Sequence, residues 1–128
     1  MNSKPVILAI DDDPASLALI EVILKRQKCD VLTSRSAIDG LRLIHLHRPD
    51  VIILDDVMPD QHGGDLCFAL KQDPVYSLIP VILFSAGLRV RDPAYLKQTG
   101  ADSALLKPFL PQELVRAIES VLRRAVMI

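Results

Sequence analysis

What most constrains this chain is a repeated alternation. Five short apolar runs, Val6–Ile10, Val31–Thr33, Val51–Leu54, Val81–Phe84 and Ala104–Leu106, are separated by stretches with helical spacing. Each run is aliphatic or β-branched and bounded by polar or turn residues, the signature of a strand. Their hydrophobicity is continuous rather than alternating, which predicts strands covered on both faces of a parallel sheet. The intervening stretches read as helices. Pro14–Arg26 carries Leu17, Ile20, Ile23 and Leu24 at three- and four-residue spacing, and Pro14 suits a first turn. Ser36–His47 carries Ile38, Leu41 and Ile44 or His45, with Ser36 placed to cap its start. Gly64–Lys71 carries Leu66, Ala69 and Leu70, and Asp92–Thr99 opens on Asp-Pro and stops at Gly100. Pro111–Arg124 carries Leu114, Val115, Ile118, Val121 and Leu122, with Arg123 and Arg124 favourable at its C-terminal end.

The order βαβαβαβαβα with short connections predicts right-handed crossovers and a three-layer α/β sandwich. At 128 residues the chain is the size of a single domain, expected over 1–128. Half the residues are hydrophobic, which argues against disorder. A net charge of −1 lacks the basic footprint of a nucleic-acid binder. Lys4-Pro5 is followed by only five apolar residues and then three aspartates, unlike a secretory signal. No run reaches the roughly 18 apolar residues of a membrane span. The expectation is a cytoplasmic protein without a membrane partner. Cys29 and Cys67 match no metal spacing and read as core residues.

The acids point further. Thirteen are Asp and only three are Glu, although Glu is the better helix former. Asp11-Asp12-Asp13 end the first apolar run and Asp55-Asp56 end the third. In an open α/β sheet, ligands bind beyond the carboxyl ends of the strands. Asp11 and Asp12, Asp55, Ser85 and Lys107 all fall there, each after a different strand. Carboxylates brought together repel unless a cation intervenes, and oxygen donors without His or Cys suit a hard ion. Mg²⁺ uses one or two carboxylates, keeps waters and accepts phosphate oxygens. A lysine can pair with a phosphoryl group, and a serine hydroxyl can hydrogen-bond it. This chemistry resembles phosphoryl transfer to an aspartate nucleophile. One aspartate suffices to cap a helix, so three exceed that need; Asp13 reads as the cap. Asp56 reads as solvated. His45, His47 and His62 share no metal spacing and receive no role.

Four segments carry a family resemblance: VILAIDDDP (6–14), PDVIILDDVMP (49–59) with Gly63, PVILFSAG (80–87) and GADSALLKPF (100–109). Together they resemble a receiver domain of a two-component response regulator, across essentially the whole chain. The resemblance implies a flavodoxin-like sheet in the order 2-1-3-4-5. It implies that Asp55 is the phosphoacceptor. Asp12 would bind Mg²⁺ directly, Asp11 through a metal-bound water, and Val57 through its backbone carbonyl. Lys107 would contact the phosphoryl group, and Ser85 would move toward it. Pro108 stands where the family often has a cis Lys-Pro bond. The implied donor is a phosphohistidine on a sensor histidine kinase or phosphotransfer protein. The implied output is a downstream protein or a covalently linked domain. Separately, Arg89, Arg91 and Lys97 make the fourth-helix region basic, which suits a homodimer or a partner face but more commonly marks plain solvent exposure.

The resemblance also has departures. Ala104 stands where the family usually carries Tyr or Phe, so a relay by that aromatic is missing. Movement of the loop and fourth helix around Arg89–Leu96, or use of another surface, is expected instead. Val57 places an apolar side chain beside the path of hydrolytic water, which predicts slow dephosphorylation. Leu110 offers no polar cap before Pro111. Two rival functions follow from these same residues. An aspartate-nucleophile phosphohydrolase would need a general acid where Val57 stands. A degenerate receiver would act as an interaction module without phosphorylation, and Ala104 is the feature that suggests it.

Overall fold

The computed structural model describes residues 4–126, so the outermost ends of the domain expected over 1–128 lie outside the described residues. The elements run β1 Val6–Ile10, α1 Pro14–Arg26, β2 Asp30–Ser34, α2 Ala37–His47, β3 Val51–Asp55, α3 Gly63–Gln72, β4 Val81–Ser85, α4 Pro93–Thr99, β5 Ser103–Leu106 and α5 Pro111–Val126. The strands form one parallel sheet in the order β2-β1-β3-β4-β5, as the resemblance implied.

Successive strand residues point to opposite faces, and this divides the core in two. Ile7, Ala9, Val51, Ile53, Ile82 and Phe84 pack with α1 and α5 through Leu17, Ile20, Leu24, Leu114 and Ile118. Leu8, Ile10, Ile52, Leu54, Val81 and Leu83 pack with α2 and α3 through Ile44, Leu66, Cys67 and Leu70. Every residue of β3 and β4 is buried, whereas the edge strands β2 and β5 are partly exposed. This is why the central runs lack alternation. Cys29 and Cys67 are both buried and unpaired. Burial pushes the Cys67 thiol up to about 12, as suits a plain core residue.

The helix ends follow local chemistry. Asp13 accepts a hydrogen bond from Ala15 N at 3.0 Å and caps α1. Ser36 lies just before α2 and accepts from Asp39 N at 3.1 Å. Asp92 precedes α4 rather than beginning it, and accepts from Ala94 N at 2.9 Å. Gly100 ends α4 at φ 79°, a left-handed conformation that suits glycine. The α5 cap is half made. Leu110 supplies no side-chain acceptor, but its own N–H donates to Glu113 Oε1 at 2.7 Å, one arm of a capping box.

Several boundaries differ from expectation. β3 and β4 each extend one residue, so Asp55 and Ser85 are the last residues of strands rather than the first of loops. A 3-10 turn over Leu88–Arg91, which no sequence periodicity signals, precedes α4. Among the described residues, no helix is long and apolar enough to cross a membrane.

Candidate functional site

Asp55 and Asp11 sit at the carboxyl ends of neighbouring strands, because β1 and β3 pair in parallel with Ile10 opposite Leu54. Parallel register therefore brings residues distant in sequence to one edge. Carboxylate oxygens of Asp11, Asp12 and Asp55 all lie within 4.8 Å of one another. Asp11 is buried, Asp55 nearly so, and Asp12 stands at the rim. β5 delivers Lys107, whose Nζ donates to Asp11 Oδ2 at 2.8 Å and stands 3.7 Å from Asp55 Oδ2. The ammonium also lies over the Phe84 ring, 4.5 Å from its centre, within cation–π range. The Lys107-Pro108 peptide is cis.

The remaining contacts fix the carboxylates. Asp11 Oδ1 accepts from Asp13 N at 2.9 Å, and Asp55 Oδ1 accepts from Val57 N at 3.2 Å. Ser85 is buried at the end of β4, where its Oγ accepts from Gly87 N at 3.0 Å. Arg35 Nη2 donates to the carbonyl of Asp12 at 3.3 Å. Gly63 must be glycine, because a Cβ there would collide with the Asp55 carbonyl. The Val57 side chain is half exposed on the loop beyond Asp55.

The electrostatics separate the two inner carboxylates. Burial pushes Asp11 up, but hydrogen bonds from Lys107 and Asp13 N–H outweigh it and hold the carboxyl below its usual range. Burial pushes Asp55 up to about 7; the Asp11 carboxylate adds to this and the Val57 N–H opposes it. One lysine thus serves two carboxylates unequally. The site has a deficit of positive charge, and its free donors are all oxygens. That donor set fits a hard divalent ion. The sequence-predicted residues Asp11, Asp12, Asp55 and Lys107 converge, and Ser85 ends the strand beside Asp55, with Asp55 registered to Phe84.

One expectation is overturned. Asp56 is not solvated: it has no exposed surface. Its Oδ1 accepts from Gly64 N at 3.0 Å and from Tyr95 Oη at 2.6 Å, and its Oδ2 accepts from Arg89 Nε at 2.6 Å. Asp55 and Asp56 are consecutive, so they face opposite sides of the sheet, and each side is covered by helices. Burial and the Asp56 carboxylate push the Tyr95 hydroxyl up, so it remains a donor. A second unforeseen contact involves Asp60. Its carboxylate accepts from Ala37 N and Ile38 N, both at 3.1 Å, tying the β3–α3 loop to the start of α2. The histidines take no part. His45 Nδ1 lies 2.7 Å from Tyr76 Oη, and His62 is exposed without a capping bond.

Comparison with known proteins agrees with this geometry. The family model described as "Response regulator receiver domain" matches residues 7–119. The DNA-binding response regulator MtrA of Mycolicibacterium smegmatis is 31% identical over 92% of this chain and 50% of its own length. The alkaline phosphatase synthesis transcriptional regulatory protein PhoP of Bacillus subtilis is 30% identical over 98% of this chain and 50% of its own. The chain therefore spans about half the length of these regulators. Among solved structures, a response regulator receiver domain protein from Clostridium thermocellum superposes with a TM-score of 0.86 at 30% identity, covering 96% of this chain and 98% of that one. A putative response regulator from Chloroflexus aurantiacus gives 0.88 at 28% identity, covering 94% and 99%. With its 2-1-3-4-5 sheet and its acidic cluster at the strand ends, this chain belongs to the response regulator receiver domain family, a signalling module rather than an enzyme in its own right.

Proposed function

We propose that the domain is a Mg²⁺-dependent phosphorylation switch with Asp55 as phosphoacceptor. The observation that carries this is the joint placement of three carboxylates within 4.8 Å and of Lys107 between Asp11 and Asp55. A carboxylate oxygen of Asp55 attacks phosphorus, and the bond from phosphorus to the donor's imidazole nitrogen breaks. The imidazole leaves with the bonding electron pair and takes a proton from solvent. Asp12, Asp55 and the Val57 carbonyl would hold Mg²⁺, with Asp11 acting through a bound water. When bound, the ion neutralises charge on the transferring group. Lys107 supplies a further positive charge to the phosphoryl oxygens, released from Asp55 as that carboxylate becomes an acyl phosphate. Ser85 offers its hydroxyl from the adjoining strand end.

The donor is a phosphohistidine on a sensor histidine kinase or phosphotransfer protein, which places the domain in the cytoplasm. The output runs through a downstream protein or a covalently linked domain. The net charge of −1 gives this domain itself no nucleic-acid footprint. Val57, apolar and half exposed beside Asp55, slows hydrolysis of the acyl phosphate. Val57→Asn accordingly shortens its lifetime, and an unchanged lifetime would remove that role.

Intact-protein mass after incubation with acetyl phosphate tests the main reading. A single phosphoryl adduct is expected, lost in Asp55→Ala and without Mg²⁺. Ala104 favours one alternative, an interaction module that works without phosphorylation. Beryllofluoride separates the two. A Mg²⁺-dependent complex supports the switch, and its absence in a folded protein supports the module.

A further inference from the structure

The buried Asp56 carboxylate takes no part in the chemistry above, yet its surroundings are built around it. Its main chain is pinned: Asp56 N donates to Phe84 O at 2.9 Å, and its carbonyl accepts from Gly63 N at 2.9 Å. Its side chain accepts from Gly64 N at the start of α3. These contacts hold Asp56 to the sheet and to α3. The other two partners belong to the 3-10 turn and α4: Arg89 and Tyr95 both reach it at 2.6 Å. The Arg89 guanidinium also packs 4.9 Å from the centre of the Tyr95 ring. A Cβ at position 64 would collide with Tyr95 Oη, so the glycine makes room for this hydroxyl. Asp56 thus has a fixed side and a side that can let go. The releasable side is a seven-residue helix preceded by the exposed residues 86–89.

The phosphorylation site touches the same segment from its other end. Ser85 Oγ accepts from Gly87 N, two residues before Arg89. A Ser85 hydroxyl that turns toward a phosphoryl group gives up that N–H and frees the start of the segment. Short charge-assisted bonds weaken steeply with distance and angle, so a small shift of the turn breaks them. β5 carries Ala104 and offers no aromatic on this face, whereas α4 carries Tyr95.

We propose that the clasp of Asp56 on Arg89 and Tyr95 is the two-state element of this domain, closed when Asp55 is unmodified and released when it carries a phosphoryl group. The proposal rests on the reading of Asp55 as phosphoacceptor. Asp56 is a positioning residue in it and touches no reacting atom. Linkage makes the consequence reciprocal: if modification opens the clasp, opening the clasp by mutation favours the modified form.

The test titrates the chain with beryllofluoride and Mg²⁺ in wild type, Tyr95→Phe and Arg89→Gln, and follows hydrogen exchange over residues 86–99. Tyr95→Phe removes one hydroxyl and keeps the ring, so it reports even if Arg89→Gln does not fold. The expected result is beryllofluoride binding at least about fivefold tighter in the variants, the low end of usual coupling factors. Exchange over 86–99 in the unliganded variants should rise toward that of the liganded wild type. A merely structural clasp would lower thermal stability without moving the affinity. Affinity less than about fivefold tighter than wild type, or weaker, overturns the proposal. So does unchanged exchange over 86–99 when the wild type binds. A wild type that forms no complex at all refutes the Asp55 reading first, before any variant is compared, and the clasp's switching role falls with it.

Discussion

Replacing Lys107 with methionine isolates the charge that the site depends on while keeping most of the side-chain volume. Nζ lies 2.8 Å from Asp11 Oδ2 and 3.7 Å from Asp55 Oδ2. At an effective dielectric of about 20, those separations give gross attractions of about 6 and about 4.5 kcal/mol. The net loss is smaller, because a carboxylate without its partner can take up a proton. For Asp11 that costs about 1.4 kcal/mol for each pH unit above its ordinary value of 3.8. The penalty is therefore capped at about 5 kcal/mol near pH 7.5 and at about 2.3 kcal/mol near pH 5.5. Asp55, already pushed up to about 7, adds less because it is partly neutral at these pH values. A loss of about 3–4 kcal/mol is expected near pH 7.5, the usual scale for orphaning a buried charge.

The sign of the pH dependence follows from the two Asp11 environments. In the wild type the folded value lies below the unfolded one, so Asp11 stabilises the fold at neutral pH, and this is lost only on strong acidification. In Lys107→Met the folded value rises above the unfolded one. The folded variant then binds more protons than the unfolded chain, and its stability falls as pH rises from about 4. The gap between wild type and variant should thus widen from about pH 5.5 to about pH 7.5, measured by urea denaturation in EDTA. Saturating Mg²⁺ should narrow it, since the ion supplies the missing positive charge. An equal loss at both pH values would refute the reasoning, because Asp11 would not be the group left uncompensated.

Three further outcomes can be checked independently. Asp55 pushed up to about 7 means that Mg²⁺ displaces a proton, so Mg²⁺ affinity should tighten as pH rises through that value. Calorimetry in buffers of different ionisation enthalpy would detect the released proton, and a pH-independent affinity would refute this. Asp60→Ala should cost about 1 kcal/mol by removing the acceptor for two N–H groups of α2. Slight burial works against the Asp60 carboxylate, but the Ala37 and Ile38 N–H groups hold its carboxyl below the ordinary 3.8. Its contribution is therefore complete above that value and fades as pH falls through the depressed one, so urea curves of variant and wild type should converge in acid. Leu110→Ser should gain about 0.5–1 kcal/mol by completing the capping box that Glu113 already half makes. Leu110 is more than half exposed, so little packing is lost, and a lowered melting temperature would count against the cap.

Most of the fold was legible because the levels of the sequence agreed, but the buried face of α2 was not: Ile38 and Leu41 are exposed, while Ala37, Gly40 and Ile44 face the core. Unbroken apolar runs such as Val51–Leu54 have one physical solution, burial on both faces, and that solution forces parallel pairing through helical crossovers. Asp11, Asp12, Asp55 and Lys107 were legible for a related reason: residues just past parallel strands share one edge. The 3-10 turn over Leu88–Arg91 was not, since four residues leave no periodicity to detect. Asp60 was hidden too, because its partners lie 22 and 23 residues earlier and nothing local marks the contact.

Asp56 is the instructive failure, because the information needed to place it was present in the strand before it. An acid following a buried strand is solvated only if the face it points to is open. In this sheet neither face is open, as the continuous run Val51–Leu54 already implied. Asp55 shares the side of Ile53, and Asp56 shares the side of Leu54. Asp56 therefore required a buried partner on the face of α3 and α4, and a cation to meet it. Arg89 and Tyr95 answer that requirement from a segment whose position follows from no local pattern. Solvation is the default for an unassigned acid on a surface, but beside a doubly covered strand the default is a partner. The search for one leads to the 3-10 turn and α4, which supply Arg89 and Tyr95.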